Sequence, residues 1–534
     1  MSLILYLNIY SPIYIATSAY EDLAKILTHP EYRKEDVTTN ICQIRKWRNR
    51  LPLVRVRKHD VPLCSKQTPS TCTSTKNAFT ISPLTYLERI LNNPALMTKM
   101  YFGPGIVADE KQEFWHGELW QDSLLFGEDK IRNKSGGLYF FRVYIKRLIK
   151  IIIEHSFFNS ELFRAGEFLE YCEQSSIFMC RVRSVVMDEI DNTLKLKTDA
   201  LISHENLCNC RSTDNRHTRG KGKELWLVEE KAKLVNPESI KRHIIVWIRD
   251  MPKPAEVYDF YVDEIMYRFN GRWQYRNIAE RHRLPCEYIT LKQPQQNLHF
   301  LKIFLDIYVD DFGTYRNTYH SLGGVYLQFG NMPFALRKQL KNHFLLGFVP
   351  FGARFDDFIK PVLEDIKSLE NGLIMKTLNG FAWVIGGLGC VTADLPQGND
   401  LADVKRHGAN YGCRTCNISN DQYTNPGYDF MKNARFHHQM NEQFIEIRNQ
   451  HSKVNKERLA TKYGLVEPVG PFNILQWDRH IQIPQDAYHS MAGKAGILLD
   501  ATFNVLNSSG EDTFEKHWRS IETPAHWSRM PNPL

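Results

Sequence analysis

The sequence predicts an α/β fold in which a mixed sheet carries acidic side chains at one edge. Two apolar runs, 301–308 and 381–391, have the length and composition of buried strands, and each is followed by an aspartate. The segment between them, 355–369, places apolar residues at helical spacing. Nineteen residues after the second aspartate comes the Cys-x-x-Cys pair Cys413 and Cys416. These features predict a sheet with metal-binding chemistry at its rim.

Composition sets limits on the class of protein. A chain of 534 residues is long enough for roughly three or four domains, and 43% hydrophobic residues supply a large core. The net charge of +8 favours a nucleic-acid partner without requiring one. Eleven cysteines at irregular spacing fit a reducing compartment.

Three regions are predicted along the chain. Residues 1–160 form a helical or mixed region, residues 165–295 a small β-rich accessory domain, and residues 300–534 the core. The accessory domain is indicated by short alternating runs, namely 167–171, 176–187, 193–201 and 224–229.

Two segments of these amino-terminal regions allow competing interpretations. The apolar stretch 137–158 holds basic residues every four positions, so we expect a surface helix and no membrane span, and the alternative is a helix that contacts nucleic acid or a membrane surface. The set Cys208, Cys210 and His217 lies in a polar basic stretch, for which we favour a loop over a metal site.

The order of elements after residue 300 is three strands, a helix and a strand. The strands are 301–308, 323–329 and 342–349, joined by short turns, and the helix ends at Gly372 with Pro361 inside it. This is the core order of an RNase H-like fold, in which the first and fourth strands are neighbours. Asp310 and Asp394 are then expected to face each other.

Paired aspartates at such a rim suit divalent metal ions. Two ions held by carboxylates stabilise both the attacking and the leaving oxygen of a phosphodiester. Asp306 and Asp311 are alternatives to Asp310 as the first metal-binding acid. By strand alternation Asp306, Tyr308 and Asp310 share one face of the strand, and Asp311 points the other way. The competing interpretation is that these aspartates cap turns.

Cys413 and Cys416 form half of a zinc site. Asp486-Ala-Tyr-His489, at the start of an apolar helix, is the best source of the remaining ligands. The rivals are His407, His480 and the pair His437-His438. The polar stretch 417–480 is then a helical insertion, and the alternative is two free buried thiols.

A basic segment with an aromatic residue predicts contact with DNA. Residues 44–58 contain no acid, and the candidates are Arg45, Lys46, Trp47, Arg48 and Arg50. Cations neutralise phosphates and an aromatic ring can stack on a base, although a solvated helix face is the plainer interpretation. The sequence has no GxxxxGK[ST] loop, which disfavours nucleotide hydrolysis.

From residue 301 to about 504 the chain resembles the transposases of CACTA (En/Spm-type) DNA transposons, in particular fungal members. The resemblance rests on VDDFGTYRN, SLGGVYLQFGNMPFALR, HFLLGFVPFG, TADLP, HGANYGCRTC and IPQDAYH, taken in order. It implies a DDE-type RNase H-like core with Asp310 and Asp394 as the first two catalytic acids and Mg²⁺ or Mn²⁺ as cofactor. It also implies structural Zn²⁺ on Cys413, Cys416 and His489.

The resemblance further implies partners and a place of action. Water would attack one strand of double-stranded DNA at the transposon ends, and the freed 3′-hydroxyl would attack target DNA. Such enzymes work in the nucleus as oligomers, so a homo-oligomer and no membrane partner are expected.

The third acid of the family is a glutamate on a helix after the zinc-ligand histidine. Glu511, Glu515 and Glu522 follow His489, and Glu515 is favoured because residues 512–521 can form a helix. The alternatives are an inactive or truncated transposase-derived protein that binds DNA or chromatin, and a fragment that is unstructured after residue 480.

Overall fold

Strands dominate the fold, and they assemble into two large sheets. The computed structural model describes residues 28–30, 54–63, 74–132, 162–207, 222–294, 298–313 and 321–521. The basic candidates Arg45–Arg50, the stretch 137–158, the set Cys208, Cys210 and His217, and Glu522 lie outside these residues.

The strands are β1 (Val56–Pro62), β2 (Thr75–Ile81), β3 (Gly105–Val107), β4 (Lys130–Arg132), β5 (Leu162–Arg164), β6 (Phe168–Glu173), β7 (Ser176–Asp188), β8 (Thr193–Ser203), β9 (Glu224–Glu229), β10 (Lys233–Val235), β11 (Ile240–Ile244), β12 (Val246–Ile248), β13 (Phe260–Phe269), β14 (Arg272–Asn277), β15 (His299–Gly313), β16 (Ser321–Phe329), β17 (Phe344–Val349), β18 (Leu373–Thr377) and β19 (Gly380–Thr392). The helices are α1 (Pro83–Leu91), α2 (Pro94–Met97), α3 (Glu118–Gln121), α4 (Phe334–Arg337), α5 (Phe355–Glu370), α6 (Leu395–Leu401), α7 (His437–Arg448), α8 (Lys453–Tyr463), α9 (Ala487–Phe503) and α10 (Ser508–Ser520).

The mixed sheet has seven described strands in the order β1-β2-β17-β16-β15-β19-β18. β15, β16 and β17 form an antiparallel meander, and β15 is parallel to β19. A parallel neighbour requires a crossover connection, and α5 lies within the connection from β17 to β19. The strands predicted from 301–308 and 381–391, β15 and β19, are adjacent as expected, but the chain forms one more strand, β18, between α5 and β19.

Helix α5 covers one face of this sheet. Its stripe of buried residues meets the buried odd-numbered positions of β15, and the shared core includes Phe358, Ile359, Val362, Leu363, Ile366, Ile303, Leu305, Ile307 and Val309. Each such side chain contributes about 1.5–3 kcal/mol on burial. The helix ends at Glu370, and Gly372 follows with a φ of +83°. A Cβ at Gly372 would lie 2.2 Å from Trp383, so the predicted glycine stop is confirmed.

The edge of the mixed sheet is extended by a hairpin that the sequence did not indicate. β1 and β2 pair with each other, and β2 joins β17 through Thr80 and Phe79. We expected a helical or mixed region there, since the segment lacks a clear apolar alternation, and in the structure most of β1 is exposed. Asp365 on α5 anchors the hairpin region by accepting hydrogen bonds from Arg57 (2.8 Å) and Ser82 (2.5 Å).

The second sheet is built mainly from strands between residues 168 and 277, and β3 joins it from outside the region predicted to be β-rich. It contains ten described strands, with the order β11-β6-β7-β8-β9-β13-β12 along its main path. The four runs predicted as strands correspond to β6, β7, β8 and β9. None of the helices in the described part of the chain is long and apolar enough to cross a membrane.

Candidate active site

The two predicted aspartates come from matched ends of two parallel neighbours. The last pair in the register of β15 and β19 is Tyr308 with Thr392. Asp310 lies two residues beyond Tyr308, and Asp394 lies two residues beyond Thr392. Because both strands run in the same direction, both side chains lie at the same rim of the sheet. Both carboxylates act on the same neighbours, since each contributes to raising the pKa of Tyr308 and of Asp311.

Asp310 is half-buried and has a defined hydrogen-bond partner. Its Oδ2 accepts a hydrogen bond from the hydroxyl of Tyr308 at 2.6 Å. Its Oδ1 has no hydrogen-bond partner among the residues that the structure describes. A carboxylate with one oriented oxygen and one open oxygen suits a hard cation.

Asp394 caps a helix as well as facing the rim. It is the N-cap of α6, and its Oδ1 accepts a hydrogen bond from the backbone N–H of Gln397 at 2.8 Å. Asp394 therefore does have a capping role, but it caps a helix and not the turn that the competing interpretation had expected. The cap uses Oδ1. Oδ2 accepts no hydrogen bond from the residues that the structure describes. Capping and metal binding are compatible at this position.

The two alternatives to Asp310 differ from it in environment. Asp306 lies on the same face of β15, and its Oδ1 is buried without a hydrogen-bond partner among the described residues. Burial raises the pKa of Asp306 to about 7, partly opposed by Arg337. Asp311 is exposed, and its pKa is raised by partial burial and by the charges of Asp310 and Asp394.

Arg406 is a basic residue near the carboxylates that the sequence analysis did not single out. Its exposed guanidinium pairs with Asp400 at 2.6 Å. Asp394 and Asp311 also contribute to raising the pKa of Arg406, which places it within electrostatic reach of the rim. The available signal was the Lys405-Arg406-His407 cluster that follows the second aspartate.

The Cys-x-x-Cys loop is attached to the same part of the fold by a buried arginine. Arg414, between the two cysteines, donates hydrogen bonds to the carbonyl of Leu395 (3.2 Å) and to the carbonyl of Pro484 (2.7 Å). Leu395 directly follows Asp394, and Pro484 precedes α9. One guanidinium thus ties the cysteine loop to the start of α6 and to the approach to α9.

The two thiols are close enough to share a metal ion. Cys413 Sγ and Cys416 Sγ lie 3.6 Å apart. A hydrogen bond from Cys416 lowers the pKa of the Cys413 thiol to about 5, and the pKa of Cys416 is raised correspondingly. A thiolate is the form that binds zinc. Among the described residues, no group of three His, Cys, Asp or Glu side chains is gathered as metal ligands.

The predicted histidine ligands occupy different surroundings. His489 is exposed at the start of α9, where its Nδ1 contacts the carboxylate of Asp486. His480 lies beside the cysteine loop, because its Nδ1 is 2.8 Å from the carbonyl oxygen of Arg414. Its Nε2 is buried without a hydrogen-bond partner among the described residues. Burial lowers the pKa of His480 to about 3, so the ring is neutral and able to bind a metal.

The other rival histidines are engaged elsewhere. His437 Nδ1 accepts a hydrogen bond from the backbone N–H of Arg479 at 3.2 Å, and His438 Nε2 lies 2.9 Å from the carbonyl oxygen of Ala279. His407 is exposed. His480 is therefore the rival that lies closest to the cysteine loop by its described contacts.

Glu515 is not brought to the aspartates by any described interaction. It lies on α10 and pairs with Arg519 one turn later. Neither α9 nor α10 has a fully buried residue. The predicted helix after His489 is present, but its glutamate serves an ion pair within that helix.

A scan of protein-family models and a search of curated proteins both found no match for this chain.

Proposed function

We propose that this chain is a DDE-type DNA transposase with an RNase H-like core, which cleaves DNA and transfers the cut strand. The observation that supports the proposal most is the placement of Asp310 and Asp394, each two residues beyond the last register pair of the parallel strands β15 and β19. The core order β17-β16-β15-β19, with only β15 and β19 parallel, is the order expected of an RNase H-like sheet. Four of the motifs that resemble CACTA transposases fall on or at the ends of these strands: VDDFG ends β15, SLGGVYLQF forms β16, FLLGFV forms β17, and TADLP begins with the last residue of β19.

The residues of the chain fit the metal chemistry of such an enzyme. Within the described part of the chain, Asp310 and Asp394 each have one oxygen that accepts no hydrogen bond, and carboxylate oxygens at a partly exposed rim are hard donors that suit Mg²⁺ or Mn²⁺. When bound, two such ions would stabilise the attacking and leaving oxygens of the phosphodiester. Asp310 is oriented by Tyr308, and Asp394 is fixed by its cap. Arg406 supplies a positive charge beside the rim for a DNA phosphate.

The cysteine loop has a structural role in this proposal. Cys413 and Cys416 would hold Zn²⁺, with His489 as the ligand implied by the family resemblance and His480 as the alternative favoured by contacts. The proposed substrate is double-stranded DNA at transposon ends and at the target, in the nucleus, with the enzyme acting as a homo-oligomer. The segment with Arg45, Lys46, Trp47, Arg48 and Arg50 is the proposed DNA contact.

The proposal is tested by DNA cleavage with the purified full chain. We expect Mg²⁺- or Mn²⁺-dependent cleavage of DNA that carries the element's terminal repeats, and its loss in Asp310→Ala and in Asp394→Ala. The matched control is Asp357→Asn on α5, which likewise removes one carboxylate charge, here one that pairs with Lys360 in the first turn of the helix. Cleavage that survives both site substitutions would exclude the proposed active site.

A second function is favoured by one specific observation. Because Glu515 pairs with Arg519 and has no described contact with the aspartates, the acid triad is incomplete as it stands. A transposase-derived protein that binds DNA or chromatin without cutting it fits that arrangement. Its signature is DNA binding that weakens steeply as salt increases, with no metal-dependent cleavage.

A further inference from the structure

Tyr308 occupies an unusual place for a large aromatic side chain. It lies on β15 between Asp306 and Asp310, on the same face as both. The side chain is 44% exposed, so it is not held there by burial in the core. Its ring packs against the ring of Tyr326 on the neighbouring strand, with the ring centres 6.2 Å apart. The neighbour limits where the phenol can point.

The hydroxyl of Tyr308 is committed to the first aspartate. It donates a hydrogen bond of 2.6 Å to Asp310 Oδ2. A tyrosine phenol is protonated at neutral pH and a carboxylate is not, so the hydroxyl is the donor of this hydrogen bond. A donor to one carboxylate oxygen fixes the rotation of the carboxylate and turns the other oxygen away from the tyrosine.

We propose that Tyr308 is a positioning residue, which orients Asp310 so that its free oxygen is presented to a divalent cation shared with Asp394. This inference rests on the proposed function, because it assumes that the two aspartates bind metal. Hydrogen bonds to metal-ligating side chains orient them before the metal arrives, and their loss typically costs about 10–100-fold in metal affinity. The simpler alternative is that Tyr308 only covers the strand surface.

Titration of the full chain with Mn²⁺, followed by calorimetry, distinguishes these possibilities. We expect Tyr308→Phe, which keeps the ring and removes the hydroxyl, to weaken Mn²⁺ binding by about tenfold. The matched control is Tyr463→Phe, since the Tyr463 hydroxyl also donates a 2.6 Å hydrogen bond to a carboxylate, that of Glu446. Tyr463→Phe should bind Mn²⁺ as the parent does.

Two further variants separate the inference from the proposed function. Asp310→Asn and Asp394→Asn should each abolish the same Mn²⁺ binding event. If they do and Tyr308→Phe binds like the parent, the positioning role is wrong and the metal site stands. If the parent binds no Mn²⁺, or binds it independently of both aspartates, the proposed function itself is overturned.

A kinetic measurement adds a readout that a purely structural role would not change. A positioning role predicts that DNA cleavage by Tyr308→Phe is slow at limiting Mn²⁺ and recovers at high Mn²⁺. A rate loss that persists at saturating Mn²⁺ would contradict it.

Discussion

Three aspartates on β15 show how the environment of a residue decides its role. Asp306, Asp310 and Asp311 lie within six positions of one strand. Asp306 has a buried oxygen with no described partner, Asp310 is oriented by Tyr308, and Asp311 is exposed. Among the described contacts, Asp310 is the one of the three that has an oriented oxygen, while its other oxygen accepts no described hydrogen bond at the rim that Asp394 shares. The same type of side chain thus has three different roles: Asp306 is an acid with a buried oxygen, Asp310 is a candidate metal ligand, and Asp311 is a surface charge.

Asp306 leads to a prediction about pH and stability. Its pKa is about 7 in the folded chain, compared with an ordinary value of 3.8. The folded state thus keeps a proton that the unfolded chain releases, so its contribution to stability is lost as pH rises through about 7. The effect is on the order of a few kcal/mol, since a tenfold change in proton affinity is worth about 1.4 kcal/mol.

The substitution that tests this is Asp306→Asn, which removes the titration and keeps the shape. We expect the free energy of unfolding of the variant to fall less between pH 5 and 8 than that of the parent, measured by urea denaturation. Asp357→Asn is the control and should follow the parent. Parallel pH profiles for parent and Asp306→Asn would show that Asp306 does not titrate in this range.

How far the site could be predicted from sequence is clearest at single residues. The positions of Asp310 and Asp394 followed from strand length and from the aspartates at the strand ends. The hydrogen bond from Tyr308 and the approach of Arg406 depend on side-chain rotamers and on a loop path, which periodicity does not encode. The contact of His480 with the cysteine loop likewise depends on the fold of the insertion.

At the scale of elements, helix α6 allows the capping role of Asp394 to be separated from its proposed metal-binding role. The aspartate caps this helix, so Asp394→Ala should cost about 0.5–2 kcal/mol of stability. Asn is an equally good N-cap, so Asp394→Asn should keep the stability and lose only the charge. Thermal unfolding should show that Asp394→Ala is destabilised and Asp394→Asn is not, and a DNA cleavage assay should show that both variants are inactive. An active Asp394→Asn would mean that the cap alone matters.

Helices and strands were predicted correctly where the sequence has long apolar patterns. Strands were missed where the apolar pattern is weak or where the partner strand is far away in the sequence. The core strands, α5 and the strands β6 to β9 follow from periodicity. β18 was missed because residues 373–377 have no strong apolar alternation. The addition of the β1–β2 hairpin to the sheet was missed because it depends on contacts with β17, more than 200 residues away in sequence.

For the whole molecule, the part after residue 486 differs from the body before it. Helices α9 and α10 have no fully buried side chain, and Tyr488, Ile497 and Leu498 are largely exposed. Elements with few buried contacts open most readily. We therefore expect limited proteolysis to cut within residues 487–521 before it cuts elsewhere in residues 321–521, as mass spectrometry of the fragments would show. Earlier cleavage within the core strands would contradict this order.

The central claim is that Asp310 and Asp394 together bind divalent metal. The most direct measurement is anomalous diffraction from crystals of the full chain soaked in Mn²⁺. The proposed function predicts an anomalous peak between the two carboxylates at the ends of β15 and β19, and any further ligand at that peak would identify the third acid. Saturating Mn²⁺ with no peak between these carboxylates would contradict the claim.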